Sequence, residues 1–111
     1  MEIEIFQIDA FSSELFKGNP ACVIPLDSWL PDELLLNIAK ENNVSETAFF
    51  VKKNNGFILR WFTPEIEMDL CGHATLATAY CLKNHLDYKE DQVIFDSMSG
   101  KLIVKFDGDY I

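Results

Sequence analysis

The stretch from residue 70 to residue 82 most constrains the fold of this chain, because it predicts a helix with almost no polar face. After His73, apolar side chains point in every direction around a 3.6-residue turn, with only Thr75 and Thr78 between them. A helix that is apolar all round must be enclosed, and this one is well short of the ~20 apolar residues that a membrane span needs. We therefore expect other parts of the protein to surround it.

The start of this helix is a candidate binding site. Cys71, Gly72 and His73 come together there, where free N–H groups and the helix dipole attract anions. The pattern predicts a binding site for an anion such as a substrate carboxylate.

Size and charge exclude several classes of partner. The chain has 111 residues, of which 49% are hydrophobic and 13% aromatic, which indicates one folded domain and not a disordered segment. Nine basic and eighteen acidic residues give a net charge of -9, and such a charge repels nucleic acid and anionic membrane surfaces. Neither is expected as a partner.

The cysteines and histidines predict neither disulfides nor a metal site. Cys22, Cys71 and Cys81 are odd in number and lack a disulfide framework, and His73 and His85 lack metal-ligand spacing. No signal-peptide pattern opens the chain, so we expect a cytoplasmic protein.

Alternation and turn signals predict an α+β fold. A first, amphipathic helix should begin at Pro31 and end at Asn42 and Asn43, and it should lie at the periphery. The second, apolar helix should be central, with a strongly curved sheet or barrel around it. Strands are predicted over seven segments: 2–8, 21–24, 46–51, 57–63, 66–70, 93–95 and 101–106.

The last residues predict a further turn. Asp107 and Gly108 are typical of a tight hairpin, which predicts a strand from Asp109 onward. Two interpretations stay open: Tyr110 and Ile111 form a short terminal strand, or the chain is one lobe of a longer two-lobe protein.

Glu46 is the first candidate for chemistry. Strand alternation places it on one face with Ala48 and Phe50, and a carboxyl group among apolar neighbours is harder to ionise. It could therefore exchange a proton near neutral pH, or it could be an ordinary surface glutamate at a strand start.

Two residues near the second helix also have alternative interpretations. Cys71 lies where the N-cap should be and could carry a proton as a thiolate, or it could simply fill space. His73 could hydrogen-bond a substrate or satisfy a backbone carbonyl.

The charged residues of the following segments are expected to be structural. Arg60 could bind a carboxylate ligand, but an internal ion pair with an acidic residue is the favoured interpretation. Glu65, Glu67 and Asp69 are interpreted as a solvated strand face.

Taken in order, five motifs strongly resemble the N-terminal lobe of the PhzF family, the phenazine-biosynthesis-like isomerases of the diaminopimelate epimerase-like superfamily. The resemblance covers essentially the whole chain, so residues 1–111 correspond to a single lobe. The motifs are Asp9-Ala10-Phe11, Gly18-Asn19-Pro20-Ala21, Ser45-Glu46-Thr47-Ala48-Phe49, Arg60-Trp61-Phe62-Thr63-Pro64 and Leu70-Cys71-Gly72-His73-Ala74-Thr75.

The resemblance implies a fold and an activity. The fold is two similar lobes, each a barrel-like sheet around a central helix, with the active site in the cleft between them. Glu46 matches the glutamate that acts as general acid/base and moves a proton on a small carboxylated substrate, without metal or organic cofactor.

The resemblance also implies the remaining site residues. Gly72 and His73 correspond to residues that bind substrate at the helix start, and Asn19 and Ser45 belong to the same substrate-binding set. Cys71 is assigned a supporting role only.

One departure from the family pattern limits these implications. The family's second lobe carries a motif rich in Gly, Asp, Thr and Ser that has no counterpart in residues 1–111. One lobe offers one wall of a cleft, which cannot hold a substrate as tightly as catalysis requires. Either a second lobe or a second copy in a homodimer completes the site, or the chain is a catalytically incomplete lobe that acts in binding or assembly.

Overall fold

A computed structural model describes residues 4–8, 21–44, 46–54, 56–69 and 72–106, except for the side chains of Gln7, Ile8 and His73. These residues form seven strands and two helices. In chain order the elements are β1 (Phe6–Ile8), β2 (Ala21–Leu26), α1 (Asp32–Asn42), β3 (Glu46–Lys53), β4 (Gly56–Phe62), β5 (Glu67–Met68), α2 (Gly72–His85), β6 (Gln92–Ser97) and β7 (Gly100–Lys105).

The strands form one mixed sheet in the order β1-β2-β3-β4-β6-β7, and β5 pairs with β4. Two neighbouring pairs are parallel, β2 with β3 and β4 with β6, and they are connected through α1 and α2 respectively. Since β4 runs opposite to β3, right-handed crossovers in the same direction across the sheet must place the two helices on opposite faces. The core contacts are consistent with this placement, because alternate residues of β3 pack against different helices. Leu35 of α1 packs with Phe49, whereas Ala74 of α2 packs with Ala48.

Helix α1 begins and ends where the sequence predicts. Pro31 is its N-cap, and Asn43 closes it in the left-handed conformation with φ 51°. The N–H of Asn43 donates to the carbonyl of Ala39 at 3.2 Å. Asn42 Nδ2 donates to Thr47 Oγ1 at 3.3 Å, and this bond ties the end of α1 to the start of β3.

The predicted hairpin between β3 and β4 is confirmed, with Lys53 paired to Gly56. Gly56 also meets β6 closely. A Cβ at this position would lie 2.5 Å from the carbonyl oxygen of Ile94. The pairing of β4 with β6 therefore requires glycine there.

Helix α2 is enclosed less completely than its composition predicts. Its sheet-facing side is fully buried at Ala74, Ala77 and Thr78, but Leu76 is 37% exposed. The reason is that α2 covers one face of the sheet and no described element covers its outer side. No helix in the described part of the chain is long and apolar enough to cross a membrane.

Three predicted strand boundaries differ from the structure or lie outside it. Within the first predicted strand, Glu4 and Ile5 precede β1 and are not extended in the sheet. In the segment 66–70 the strand is only the two-residue β5, because Thr63 accepts the backbone N–H groups of Glu65 and Ile66 in a turn. The predicted hairpin at 107–108 lies outside the described residues.

Candidate active site

Glu46 is the first residue of β3 and lies directly opposite Ala21 of β2. Alternation along β3 puts its side chain on the α2 face, together with the buried residues Ala48 and Phe50. Its Oε2 atom is buried and has no hydrogen-bond partner among the described residues. Glu46 therefore has the apolar surroundings that the sequence predicts.

Trp61 lies beside Glu46 on the same face. It pairs directly with Ala48, so it is the diagonal cross-strand neighbour of Glu46. Its side chain is 1% exposed, and its indole Nε1 has no hydrogen-bond partner in the described structure. The sequence predicts no role for Trp61, although the turn at Asn54 fixes the register that places it opposite Ala48.

The start of α2 lies close to these two residues. Met68 of β5 pairs with Trp61, and α2 begins four residues later at Gly72. Gly72 is exposed, and no described atom lies within 4 Å of a Cβ built there. Whereas α1 carries Asp32 and Glu33 in its first turn, α2 has no acidic residue there. The positive end of the α2 dipole is therefore available to an external anion.

A hydrogen bond holds the segment that leads into α2. Ser99 Oγ, in the β6–β7 turn, donates to the carbonyl oxygen of Asp69 at 2.7 Å. The turn itself is fixed by Ser97, whose hydroxyl donates to the carbonyl of Gly100 at 2.8 Å. The β6–β7 hairpin thus helps to position the start of α2.

Arg60 lies on the opposite, α1 face and is engaged internally. Its Nε and Nη2 donate to the carboxylate of Glu67 at 2.7 and 2.8 Å, and Nη1 lies 3.1 Å from Asp32 Oδ1. Its guanidinium also stacks over Trp29 and Phe62, 5.2 and 5.4 Å from the ring centres. Hydrogen bonding to Glu67 raises the pKa of Arg60 further above its ordinary value. The internal ion pair is confirmed, and the interpretation of Glu67 as a solvated residue is wrong because Arg60 binds it.

The described thiols do not suit proton transfer near neutral pH. Cys22 and Cys81 are free and buried. Burial raises the pKa of Cys81 to about 12, with a smaller contribution from the charge of Glu4, and burial also raises the pKa of Cys22. No group of three or more His, Cys, Asp or Glu side chains in the described ranges could hold a metal ion.

A surface cavity of about 600 Å³ lies away from Glu46. Its lining includes Lys52, Asn54 and Tyr88, so it lies at the far end of β3, next to the β3–β4 turn. This cavity and the candidate catalytic carboxylate are therefore in different places, and we assign the cavity no role in the site.

Four of the predicted site residues lie wholly or partly outside the described structure. Asn19, Ser45 and Cys71 are outside the described residues. The backbone of His73 lies in the first turn of α2, but its side chain is not described. Their roles stay predictions, while Glu46 and Gly72 lie at the same end of the α2 face.

A family model described as phenazine biosynthesis-like protein, PhzC-PhzF, matches residues 8–110. The chain belongs to this family. An uncharacterized isomerase of Pseudomonas aeruginosa is 56% identical over 109 residues, which are 98% of this chain and 42% of that protein.

Solved structures show the same relationship. The crystal structure of a PhzF-family phenazine biosynthesis protein from Enterococcus faecalis has a TM-score of 0.89 at 53% identity, covering 96% of this chain and 41% of that one. A predicted epimerase from Pseudomonas aeruginosa has a TM-score of 0.77 at 25% identity, covering 89% and 36%. The α+β, epimerase-like fold predicted from the PhzF resemblance is therefore confirmed. The chain spans about two-fifths of the length of these relatives.

Proposed function

We propose that this PhzF-family chain forms one wall of the active site of an isomerase or epimerase. The enzyme would move a proton on a small carboxylated metabolite by general acid/base catalysis without a cofactor. The observation that carries the proposal is the unpaired, buried Oε2 of Glu46 at the end of the α2 face where α2 begins. A carboxylate that forms no ion pair with a described residue is free to act on a ligand.

In the proposed reaction, Glu46 takes a proton from a substrate carbon. The C–H bond breaks, the proton moves to a carboxylate oxygen of Glu46, and the electron pair stays on a carbon next to an activating group. The same O–H bond then breaks to return the proton to another carbon on the same face of the substrate, while the electron pair moves to that carbon. No electrons are gained or lost, so the step needs no redox partner.

The start of α2 would hold the substrate during this transfer. Backbone N–H groups at Gly72 and His73 would bind the substrate carboxylate, and the His73 side chain would add a hydrogen bond. Asn19 and Ser45 would complete this wall, with Cys71 in support. Fixing both partners matters because proton transfer requires hydrogen-bond distance between the carbon-bound proton and its acceptor.

We propose that a second copy of this chain, or a second lobe, provides the opposite wall. The coverage of about two-fifths of the relatives supports an incomplete cleft, and the 37% exposed Leu76 on the outer side of α2 supports a covering partner. The native mass in solution tests the homodimer, since a monomer at micromolar concentration would contradict it. A monomer without activity would favour the alternative, a lobe that acts in binding or assembly.

Solvent-deuterium incorporation into a panel of carboxylated metabolites tests the chemistry. Glu46→Gln should lower incorporation by about 100-fold or more, the scale of general acid/base catalysis, with the fold intact by circular dichroism. Glu33→Gln is the matched control, because it removes the same charge from an exposed position on α1. Unchanged incorporation in the Glu46 variant would refute the assignment.

A further inference from the structure

We propose that Trp61 is a positioning residue whose indole N–H donates a hydrogen bond to the ionised carboxylate of Glu46. The contact would hold the proton acceptor in place beside the start of α2. Its catalytic consequence rests on the proposed function of Glu46, whereas the contact itself does not.

The indole N–H of Trp61 is a buried donor without an acceptor. Tryptophan N–H groups usually find an acceptor when buried, since a buried donor without one loses its hydrogen bonds to water and gains nothing. Trp61 is 1% exposed, yet its Nε1 has no partner in the described structure. A phenylalanine would fill an apolar site without the cost of a buried, unpaired N–H group. The indole nitrogen at this position therefore suggests a hydrogen-bond acceptor nearby.

Glu46 provides a matching acceptor on the same face of the sheet. Among the described residues, one other buried side-chain polar atom lacks a partner, and it is Oε2 of Glu46. The two atoms are not bonded to each other in this structure. One is a donor and the other an acceptor, so a single hydrogen bond formed by side-chain rotation would satisfy both. A bond from N–H to a carboxylate is also stronger than one between neutral groups.

The register of β3 and β4 makes Trp61 and Glu46 diagonal neighbours. Trp61 pairs with Ala48, two residues along β3 from Glu46 and on the same face. Diagonal neighbours across an antiparallel pair are about 7–8 Å apart at Cα, within reach of aromatic and long side chains. Rotation of the two side chains, without any change in the backbone, would therefore bring the indole N–H to the carboxylate.

The surroundings leave few other charges that could act on either group. From β2, β4 and β5 the buried residues on this face are apolar. The described titratable groups of α2 that contact this cluster are the Cys81 thiol, held neutral by a pKa of about 12, the phenol of Tyr80, and His85, which stacks on Phe6 of β1. Glu4, which precedes β1, acts on Cys81. The apolar residues on this face include Ala21, Val23, Leu59, Met68, Ala74 and Ala77.

The proposed contact has a chemical consequence for Glu46. A hydrogen bond from an N–H donor restricts the rotation of the carboxylate that accepts it. It also fixes one carboxylate oxygen and leaves the other free for the substrate. Trp61 would thus act through Glu46 without touching the reacting carbon.

The test is a pH titration of the ¹⁵N-labelled chain, followed through the indole N–H signals in two-dimensional NMR. The chain has two tryptophans, and Trp61→Phe identifies the Trp61 signal by removing it. Trp29 is an internal control because it lies against Arg60 on the opposite face. We expect the Trp61 proton to shift downfield as Glu46 ionises, with the same midpoint as the ¹³Cδ signal of Glu46, while Trp29 does not follow it.

Two variants separate the possible sources of such a shift. Glu46→Gln should abolish the pH-dependent shift of Trp61, and His73→Asn should retain it. A Trp61 signal that stays constant while the ¹³Cδ signal of Glu46 titrates would overturn the proposal, as would a shift that persists in the Glu46 variant. If that variant does not fold, the coincidence of midpoints in the unmodified chain decides. The experiment uses no substrate, so its failure is distinguishable from a failure of the proposed isomerase activity.

Discussion

The hydroxyl of Ser99 donates to the carbonyl oxygen of Asp69 across a separation of thirty residues in the chain, at 2.7 Å. This bond joins the β6–β7 turn to the segment immediately before α2. It is therefore a direct link between the outer part of the sheet and the proposed binding end of the helix.

Ser99→Ala should loosen the start of α2. The loss of one hydrogen bond should cost about 0.5–1.5 kcal/mol in the free energy of unfolding, and amide hydrogen exchange should rise at Leu76 and Ala77, whose N–H groups donate to the carbonyls of the first turn of α2. Lys101→Ala, an exposed change on the same hairpin, is the control. Unchanged exchange at Leu76 and Ala77, the first amides of α2 that can donate to a carbonyl of the helix itself, would argue against the positioning role of Ser99.

Arg60→Met should destabilise the chain by about 1.5–3 kcal/mol, because it leaves the Glu67 carboxylate without its two charged hydrogen bonds. The side chains of Arg60 and Glu67 are only 19% and 23% exposed, so water replaces the lost bonds poorly. Urea unfolding measures the change. Lys89→Met is the matched control, since Lys89 and its partner Asp87 are 78% and 81% exposed and such pairs contribute little. Equal effects of the two variants would contradict the prediction.

Gly56→Ala should destabilise the sheet by about 1–3 kcal/mol through overpacking. The added methyl group would meet the Ile94 carbonyl at 2.5 Å, and backbone cannot move aside as a flexible side chain can. Gly72→Ala is the contrasting variant, because open space surrounds that position and alanine favours helix. Thermal unfolding should therefore show a lower midpoint for the first variant and an equal or higher one for the second.

The buried thiol of Cys81 predicts a loss of stability in alkali. Its pKa is raised from 9.0 to about 12 in the folded chain, so above pH 9.0 the unfolded chain loses this proton first. Unfolding is then favoured, and the contribution of Cys81 to stability is complete below pH 9.0 and disappears as pH approaches 12. Urea unfolding across this range measures the fall, which Cys81→Ala should reduce.

Alkylation checks the same property independently. At pH 8 the folded chain should leave Cys22 and Cys81 unmodified by iodoacetamide, whereas the unfolded chain should react at both. Mass spectrometry of the digested protein locates the label. Rapid labelling of Cys81 in the folded chain would show that the thiol is accessible and ionised.

Much of the fold could be predicted from the sequence because local patterns determine it. The limits of α1 follow from Pro31 and Asn43, and the β3–β4 hairpin follows from the turn residues between two apolar runs. The apolar run after residue 73 indicated burial, but composition does not say how many sides of α2 the sheet covers. The exposure of Leu76 therefore depends on tertiary packing and could not be predicted from the local sequence.

The candidate site was predicted less completely, for a different physical reason. Glu46 was found through strand alternation and family motifs, both of which are local. The role of Glu67 as the partner of Arg60 and the link from Ser99 to Asp69 depend on which strands and turns meet. The unpaired Nε1 of Trp61 likewise emerges only when the register places it beside Glu46.

Because α1 and α2 lie on opposite faces of the sheet, alternate residues of β3 contact different helices. Glu46 serves the side of α2, whereas Thr47, tied to Asn42, anchors the side of α1. Inserting or deleting one residue within β3 would exchange these sides for every residue beyond the change. This strand should therefore tolerate almost no change in length over evolutionary time.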